Sequence, residues 1–246
     1  MRKYLLSGVL AVLTITGATV AVAVPANIAG AVADTTRPQA DRDLDATRKP
    51  AELLSFIGIK PGQTVVDVFP GAYFDRLFVD AVGPTGKVFM YIPLEITKVE
   101  KMDFPADGSH PFGPNVTVKI APTNDFALPV PVDVVWIRQN YHDIYDSFMK
   151  PADVPTFDRA VFAALKKGGL FVIVDHAAPD GSGLAATNTT HRIDAAVVKK
   201  DMAAAGFQFV RESNLYRNPA DPRTKLVFDP SIKGHTDQFV YVFKKP

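Results

Sequence analysis

Thr64-Val65-Val66-Asp67-Val68-Phe69-Pro70-Gly71-Ala72-Tyr73-Phe74 decides the fold of this chain. A β-branched apolar run reaches an acidic residue, a Pro-Gly turn follows, and Phe74, Leu77, Phe78 and Ala81 then recur at helical spacing. The first pattern is that of a buried strand, the second that of a helix with one apolar face against a sheet. Strand, tight turn and helix open a doubly wound α/β domain. Ligands of such sheets bind beyond the carboxyl ends of the strands, beside the first turn, so the cleft is placed before its chemistry is known.

Downstream, Gly83-Pro84-Thr85-Gly86 turns the chain into a second strand at 87–92. Residues 95–103 carry a weak helical pattern, 107–114 read as loop, and 116–120 alternate as a third strand. A fourth strand at 133–137 leaves through Asn140-Tyr141-His142-Asp143. Phe157, Val161 and Leu165 mark a helix closed by Lys166-Lys167-Gly168-Gly169, where the lysines suit the helix dipole and glycine stops the helix. A fifth strand at 170–174 runs into Asp175-His176, and Ala195, Val198, Met202 and Ala205 give the apolar stripe of the next helix. The last two strands are expected at 207–211 and 238–243, joined by a connection over 212–236 that is long enough to suggest function.

Upstream, Pro50 suits a first helical position, with Leu53, Leu54 and Ile57 facing the sheet. Residues 34–49 are polar and read as a linker. Met1-Arg2-Lys3, an uncharged run from Leu5 to Val24, and the Ala-x-Ala sites Ala21-Val22-Ala23 and Ala31-Val32-Ala33 read as a secretory signal over 1–33, cleaved after Ala33. The expectation is then an exported protein, periplasmic or secreted, with no membrane partner once the leader is gone. The alternative is an uncleaved anchor, since about 20 apolar residues also span a bilayer. The single α/β domain is placed at 50–246.

Removing residues 1–33 takes away Arg2 and Lys3 and no acid, so 27 basic residues become 25 against 26 acidic ones, a net charge of −1. That balance gives no electrostatic reason to expect nucleic acid. Cysteine is absent, which excludes disulfides, thiolate metal sites and cysteine nucleophiles. A serine hydrolase of this architecture needs a serine in the strand-to-helix elbow, and the first elbow holds Pro70-Gly71-Ala72.

In a parallel sheet all strand exits face one edge, so Asp67, residues 140–143 and Asp175-His176 should converge there. His191-Arg192 precedes a helix beginning near that edge. Three of the five histidines, His142, His176 and His191, thus belong to one rim, with Asp143 beside them. Imidazole is the side chain best matched to proton transfer near neutral pH, so these four are the candidate catalytic residues. No metal is expected: no histidines stand four apart and no short ligand spacing is present.

In order, these pieces resemble class I S-adenosylmethionine-dependent methyltransferases. The resemblance rests on Asp67, Gly71 in the next turn, Gly83-Pro84-Thr85-Gly86-Lys87-Val88, Asp125-Phe126-Ala127-Leu128-Pro129 and Ala164-Leu165-Lys166-Lys167-Gly168-Gly169-Leu170. More narrowly, Asn140-Tyr141-His142-Asp143, Asp175-His176, His191-Arg192-Ile193-Asp194, Asn218-Pro219-Ala220-Asp221 and Phe228-Asp229-Pro230 resemble an exported bacterial group called only predicted methyltransferases. The resemblance covers about residues 45–246. It implies a seven-stranded sheet with the last strand antiparallel, S-adenosylmethionine as cofactor and a small-molecule substrate. It also implies a cofactor-binding set of Asp67, Phe69, Gly71, Ala72, Tyr73, Glu95, Asn124, Asp125 and Asn140. Asp67 can equally be a helix N-cap or strand-end turn residue.

The chain departs from the family pattern twice. Phe69, Gly71 and Tyr73 occupy the places of three glycines, and Ile92 stands where an acid usually holds the ribose. Glu95 either replaces that acid or is a solvated carboxylate at a helix start. Two functions stay open on the sequence. One is a methyltransferase acting on a small or hydrophobic acceptor, with His142 or His176 as general base. The other is a methyltransferase-like domain without cofactor use, serving as a binding protein or an enzyme of another class on the His142/His176/His191 rim.

Overall fold

The computed structural model describes residues 23–99 and 112–246. Before the sheet come α1 (Ala26–Ala33), α2 (Gln39–Arg42), α3 (Asp45–Arg48) and α4 (Pro50–Ile57). The deciding stretch then forms β1 (Thr64–Val68) and α5 (Tyr73–Val82), followed by β2 (Lys87–Pro93), β3 (Val116–Ala121) and β4 (Val132–Arg138). Next are α6 (Val154–Ala164), β5 (Leu165–His176), α7 (Thr187–Thr190), α8 (Ala195–Ala204), β6 (Gln208–Ser213) and β7 (Gln238–Lys244).

The seven strands lie in the order β3-β2-β1-β4-β5-β7-β6. β7 runs antiparallel to both of its neighbours, and the pairings among the first five strands are all parallel. This is the expected doubly wound sheet with its last strand reversed. Alternation along the strands divides the core into two layers, because successive side chains point to opposite faces. Val65, Val134, Trp136, Val172 and Val174 pack under α1, α4 and α5, whereas Val66, Val135, Ile137, Phe171 and Ile173 pack with Phe157, Val198 and Met202 of α6 and α8. Trp136 is fully buried, its ring 5.2 Å from Phe74 and 5.7 Å from Phe78, so the apolar face of α5 meets the sheet as its spacing foretold.

Four boundaries differ from the sequence reading. Residues 26–33, assigned to the leader, form α1, whose Ile28 and Ala31 are buried against α4 and α5. Asn27 Nδ2 donates to the Ile59 and Ala81 carbonyls at 3.2 and 3.0 Å. Small apolar residues read alike in a cleavage region and in a close helix contact, which is why the pattern did not separate them. Residues 34–49 are not an extended linker: Arg37 is buried and grips Asp45 with two bonds of 2.9 and 2.7 Å, and α2 and α3 are folded onto α5.

Lys166-Lys167-Gly168-Gly169 open β5 rather than close α6. Backbone pairing decides this, since Leu165 pairs with Val132 and Lys245 N–H donates to the Gly169 carbonyl, while Lys166 Nζ meets both Asp133 oxygens at 2.8 Å. β6 starts one residue late and runs on to Ser213. The helical pattern at 95–103 yields a short 3-10 turn at Ile96–Lys98, and its remainder lies outside the described residues, as do His110 and most of the loop at 107–114.

Candidate active site

β1, β4 and β5 are adjacent and parallel, so their exits share one edge. Asp67 pairs in register with Trp136, and Arg138 with Val174, which brings Asp67, residues 138–143 and Asp175-His176 into one neighbourhood. The rim expected from the sequence is present, and it is hydrogen-bonded throughout. The chain leaves β4 through Gln139, held at a φ of 63°, into a 3-10 turn at His142–Tyr145. There Asp175, fully buried, accepts from the His142 backbone N–H at 2.9 Å and meets His142 Nδ1 at 2.8 Å. On its other side, His142 Nε2 lies 3.1 Å from Asp143 Oδ1 and 3.3 Å from His191 Nδ1. His191 Nδ1 is itself 3.3 Å from Asp143 Oδ1, and Asn140 Nδ2 donates to Asp143 Oδ2 at 2.8 Å.

His176 stands close by, its ring centroid 6.2 Å from that of His142, with Nδ1 2.7 Å from Thr236 Oγ1. The two imidazoles differ in charge because their surroundings differ. Burial works against a charge on His142, yet Asp175 and Asp143 outweigh it and push the pKa up to about 10. Asp143 is driven the opposite way: burial would raise it, and His142 and His191 hold it well below the usual carboxylate range. His176 has no carboxylate against it, so burial, reinforced by positive His142, holds it well below 6.5. The surroundings thus favour the charged form of His142 and the neutral form of His176.

The first turn keeps its shape without the usual glycines. Phe69 and Ala72 take φ values of 61° and 64°, the left-handed region that residues with a Cβ adopt at a cost. An added Cβ on Gly71 would meet no atom within 4 Å, so this turn presents open backbone. Tyr73 is buried, its hydroxyl donating to Asp45 at 2.5 Å and its ring lying under Arg48 at 4.4 Å. Asp67 caps no helix. It is buried within β1, where burial and then the charge of Asp75 push its pKa well above the ordinary value. Asp75, raised by burial to about 6, accepts from the Ala72 N–H at 2.8 Å and shares its buried site with Asp67.

Three cavities meet at Gln139. A recess of about 170 Å³ is lined by Arg48, Asp67, Phe69, Gly71, Tyr73 and Arg138, among others. A cavity of about 530 Å³ has Asn140, His142, Asp143, His176 and His191 on one side and Ile96, Val99 and Phe148 on another. The third, about 730 Å³, carries Arg48, Lys49, Arg138, Arg217 and Lys233 in its wall and no acidic residue, and shares His176 with the second. Glu95, Asn124 and Asp125 line none of the three. Glu95 is buried and spends both oxygens on Thr123, accepting from its N–H at 3.2 and 3.0 Å and from its hydroxyl at 2.8 Å. Asn124 ties the segment to α6 through Pro151 and Asp153, and Asp125 is exposed.

The connection before β7 lies across this edge. Asp221 forms a buried two-bond pair with Arg192, the Val227 N–H donates to Thr190, and the Phe228 ring sits 5.4 Å from His191. Sequence reading missed Arg48, Arg138, Gln139 and Thr236. Arg138 and Gln139 had a usable signal, polar residues directly after an apolar strand. Arg48 was hidden in the supposed linker, and nothing local marks Thr236.

Solved structures resemble this arrangement over most of its length. A SAM-dependent methyltransferase from Aquifex aeolicus is 20% identical, with a TM-score of 0.53, over 85% of this chain and 98% of its own. An S-adenosylmethionine-dependent methyltransferase from Mesorhizobium loti is 16% identical, with a TM-score of 0.52, over 82% and 99%. The chain has the class I methyltransferase fold. No family model matches the sequence, and no curated protein matches it.

Proposed function

We propose that this protein is an S-adenosylmethionine-dependent methyltransferase whose acceptor is a small molecule bearing an anionic group. The observation that carries the reading is the charged recess at the first turn. Asp67, Arg48 and Arg138 surround it, Gly71 leaves open backbone beside it, and the buried Arg138 Nε has no partner among the described residues. These groups fit the amino and carboxylate end of a methionine-derived cofactor, an ammonium toward Asp67 and a carboxylate toward the guanidiniums. The ribose is served differently from the usual pattern, because Ile92 is apolar and Glu95 is engaged by Thr123. Bound S-adenosylmethionine supplies an electrophilic methyl group on a sulfonium.

The protein's own share is positioning, which dominates when the reaction is a direct transfer between two held groups. The cavity with five basic side chains and no acid in its wall supports an anionic acceptor, a narrower class than the small or hydrophobic one expected from sequence. His176 sits between that cavity and its neighbour, neutral, with Nδ1 turned to Thr236, so Nε2 is the nitrogen free to take the acceptor's proton. His142, held between Asp175 and Asp143, anchors the rim.

Isothermal titration with S-adenosylmethionine and S-adenosylhomocysteine tests the reading. Both should bind at one per chain with micromolar affinity. Absence of binding at millimolar ligand would move the function to the rim alone, in an enzyme of another class or a binding protein.

A further inference from the structure

We propose that His142, Asp143 and His191 form a binding site for a divalent first-row transition metal such as Zn2+, open toward the 530 Å³ cavity. Residue spacing argued against it, because these residues come from two segments 48 positions apart and show no short ligand spacing. The fold joins them. His142 Nε2, Asp143 Oδ1 and His191 Nδ1 form a nearly equilateral triangle with edges of 3.1, 3.3 and 3.3 Å. A metal bound at about 2.0–2.2 Å to nitrogen and oxygen donors, at tetrahedral or octahedral angles, sets its ligands about 2.9–3.5 Å apart. The three atoms are thus already at coordination spacing around one point.

Each ligand is also held the way metal ligands are held. A ligating histidine usually gives its other ring nitrogen to a carboxylate, which fixes the tautomer. His142 does so, with Nδ1 2.8 Å from Asp175, a side chain with no exposure at all, and the metal takes the place of the Nε2 proton, which is released to solvent on binding. Asn140 takes Asp143 Oδ2 at 2.8 Å and leaves Oδ1 for the metal. His191 presents Nδ1 from the left-handed C-cap of α7, with a φ of 53° and its N–H bonded to the Thr187 carbonyl.

Two histidines and one carboxylate occupy one side of such an ion and leave the positions facing the cavity to solvent or ligand. That is the arrangement of a reactive rather than a purely structural metal. Thr187–Thr190 and the His142–Tyr145 turn pack together to form it, whatever occupies the first turn. The proposal therefore does not depend on methyl transfer.

The test uses the untagged full chain, freed of metal with a chelator and dialysed. Calorimetric titration should show one Zn2+ per chain at micromolar or tighter affinity. Co2+ should give the intense visible bands of a low-coordinate site with nitrogen ligands. His191→Ala, at a partly exposed position, should weaken Zn2+ by at least about 100-fold, and Asp175→Asn by about 10-fold or more through His142. His235→Ala should change nothing. Substoichiometric binding by the wild type, a Co2+ spectrum like that of the aqueous ion, or undiminished affinity in His191→Ala would overturn the proposal. Should His191→Ala lose its circular dichroism, Asp143→Asn and the wild-type Co2+ spectrum decide instead. Loss of the metal site would leave S-adenosylhomocysteine binding at the Gly71 turn intact, so the two readings fail separately.

Discussion

Gly71 carries the most direct prediction at the scale of single residues. Its missing Cβ faces open space, so Gly71→Val adds atoms where the cofactor's closest contact with backbone would be. S-Adenosylhomocysteine affinity should fall below detection in calorimetry, while the apo melting temperature moves by only a degree or two. His176→Ala should lower kcat/KM by about 10²–10⁴ in an acceptor assay, the usual share of a positioned acid or base. The loss should reside in kcat, with S-adenosylhomocysteine affinity retained.

The Asp67–Asp75 pair gives a pH prediction. Both carboxyls titrate above the unfolded value of 3.8 because burial penalises their charge. A raised folded pKa means stability that is complete below about pH 4 and is lost as pH rises through 6 and beyond. Urea denaturation at pH 5 and pH 8 should show that fall. In Asp75→Asn, which keeps an acceptor for Ala72, the slope should flatten and stability at pH 8 should rise.

Secondary elements were legible where their own residues decide them. β1, α5 and the strand exits follow from local period and turn chemistry. α1 and the residues at 34–49 were not legible, because what orders them lies elsewhere: the Ile59 and Ala81 carbonyls accept from Asn27, and Tyr73 donates to Asp45. The same holds for Lys166 and Lys167, whose strand placement is set by β4 and the chain's last residues.

Because α1 closes the layer over α5, Ile28→Ala should cost about 2–5 kcal/mol, measured by denaturant unfolding. If residues before α1 act as an export leader, we propose that cleavage falls after Ala23, at the earlier Ala-x-Ala site, so that the mature chain keeps α1. Intact mass of exported protein reads the difference, and a mass beginning at Asp34 would contradict it.

For the whole molecule, topology did most of the work. Parallel strands placed Asp67, His142, Asp143, Asp175 and His176 on one edge, and that inference needed no contact information. Two things were beyond its reach. It did not show that His142 would be charged and His176 neutral, which depends on Asp175 lying against one ring and not the other. It did not show that Glu95 would turn inward to Thr123. The three cavities meeting at Gln139 give the proposed cofactor, proton acceptor and anionic acceptor adjoining places.

The measurement that tests this account most directly is a crystal structure of the full chain with S-adenosylhomocysteine. The account predicts ligand density against the Gly71 backbone, with its amino-acid end among Asp67, Arg48 and Arg138 and its sulfur toward the cavity that His176 lines. An empty first turn, or ligand bound away from the exits of β1 and β4, would contradict it.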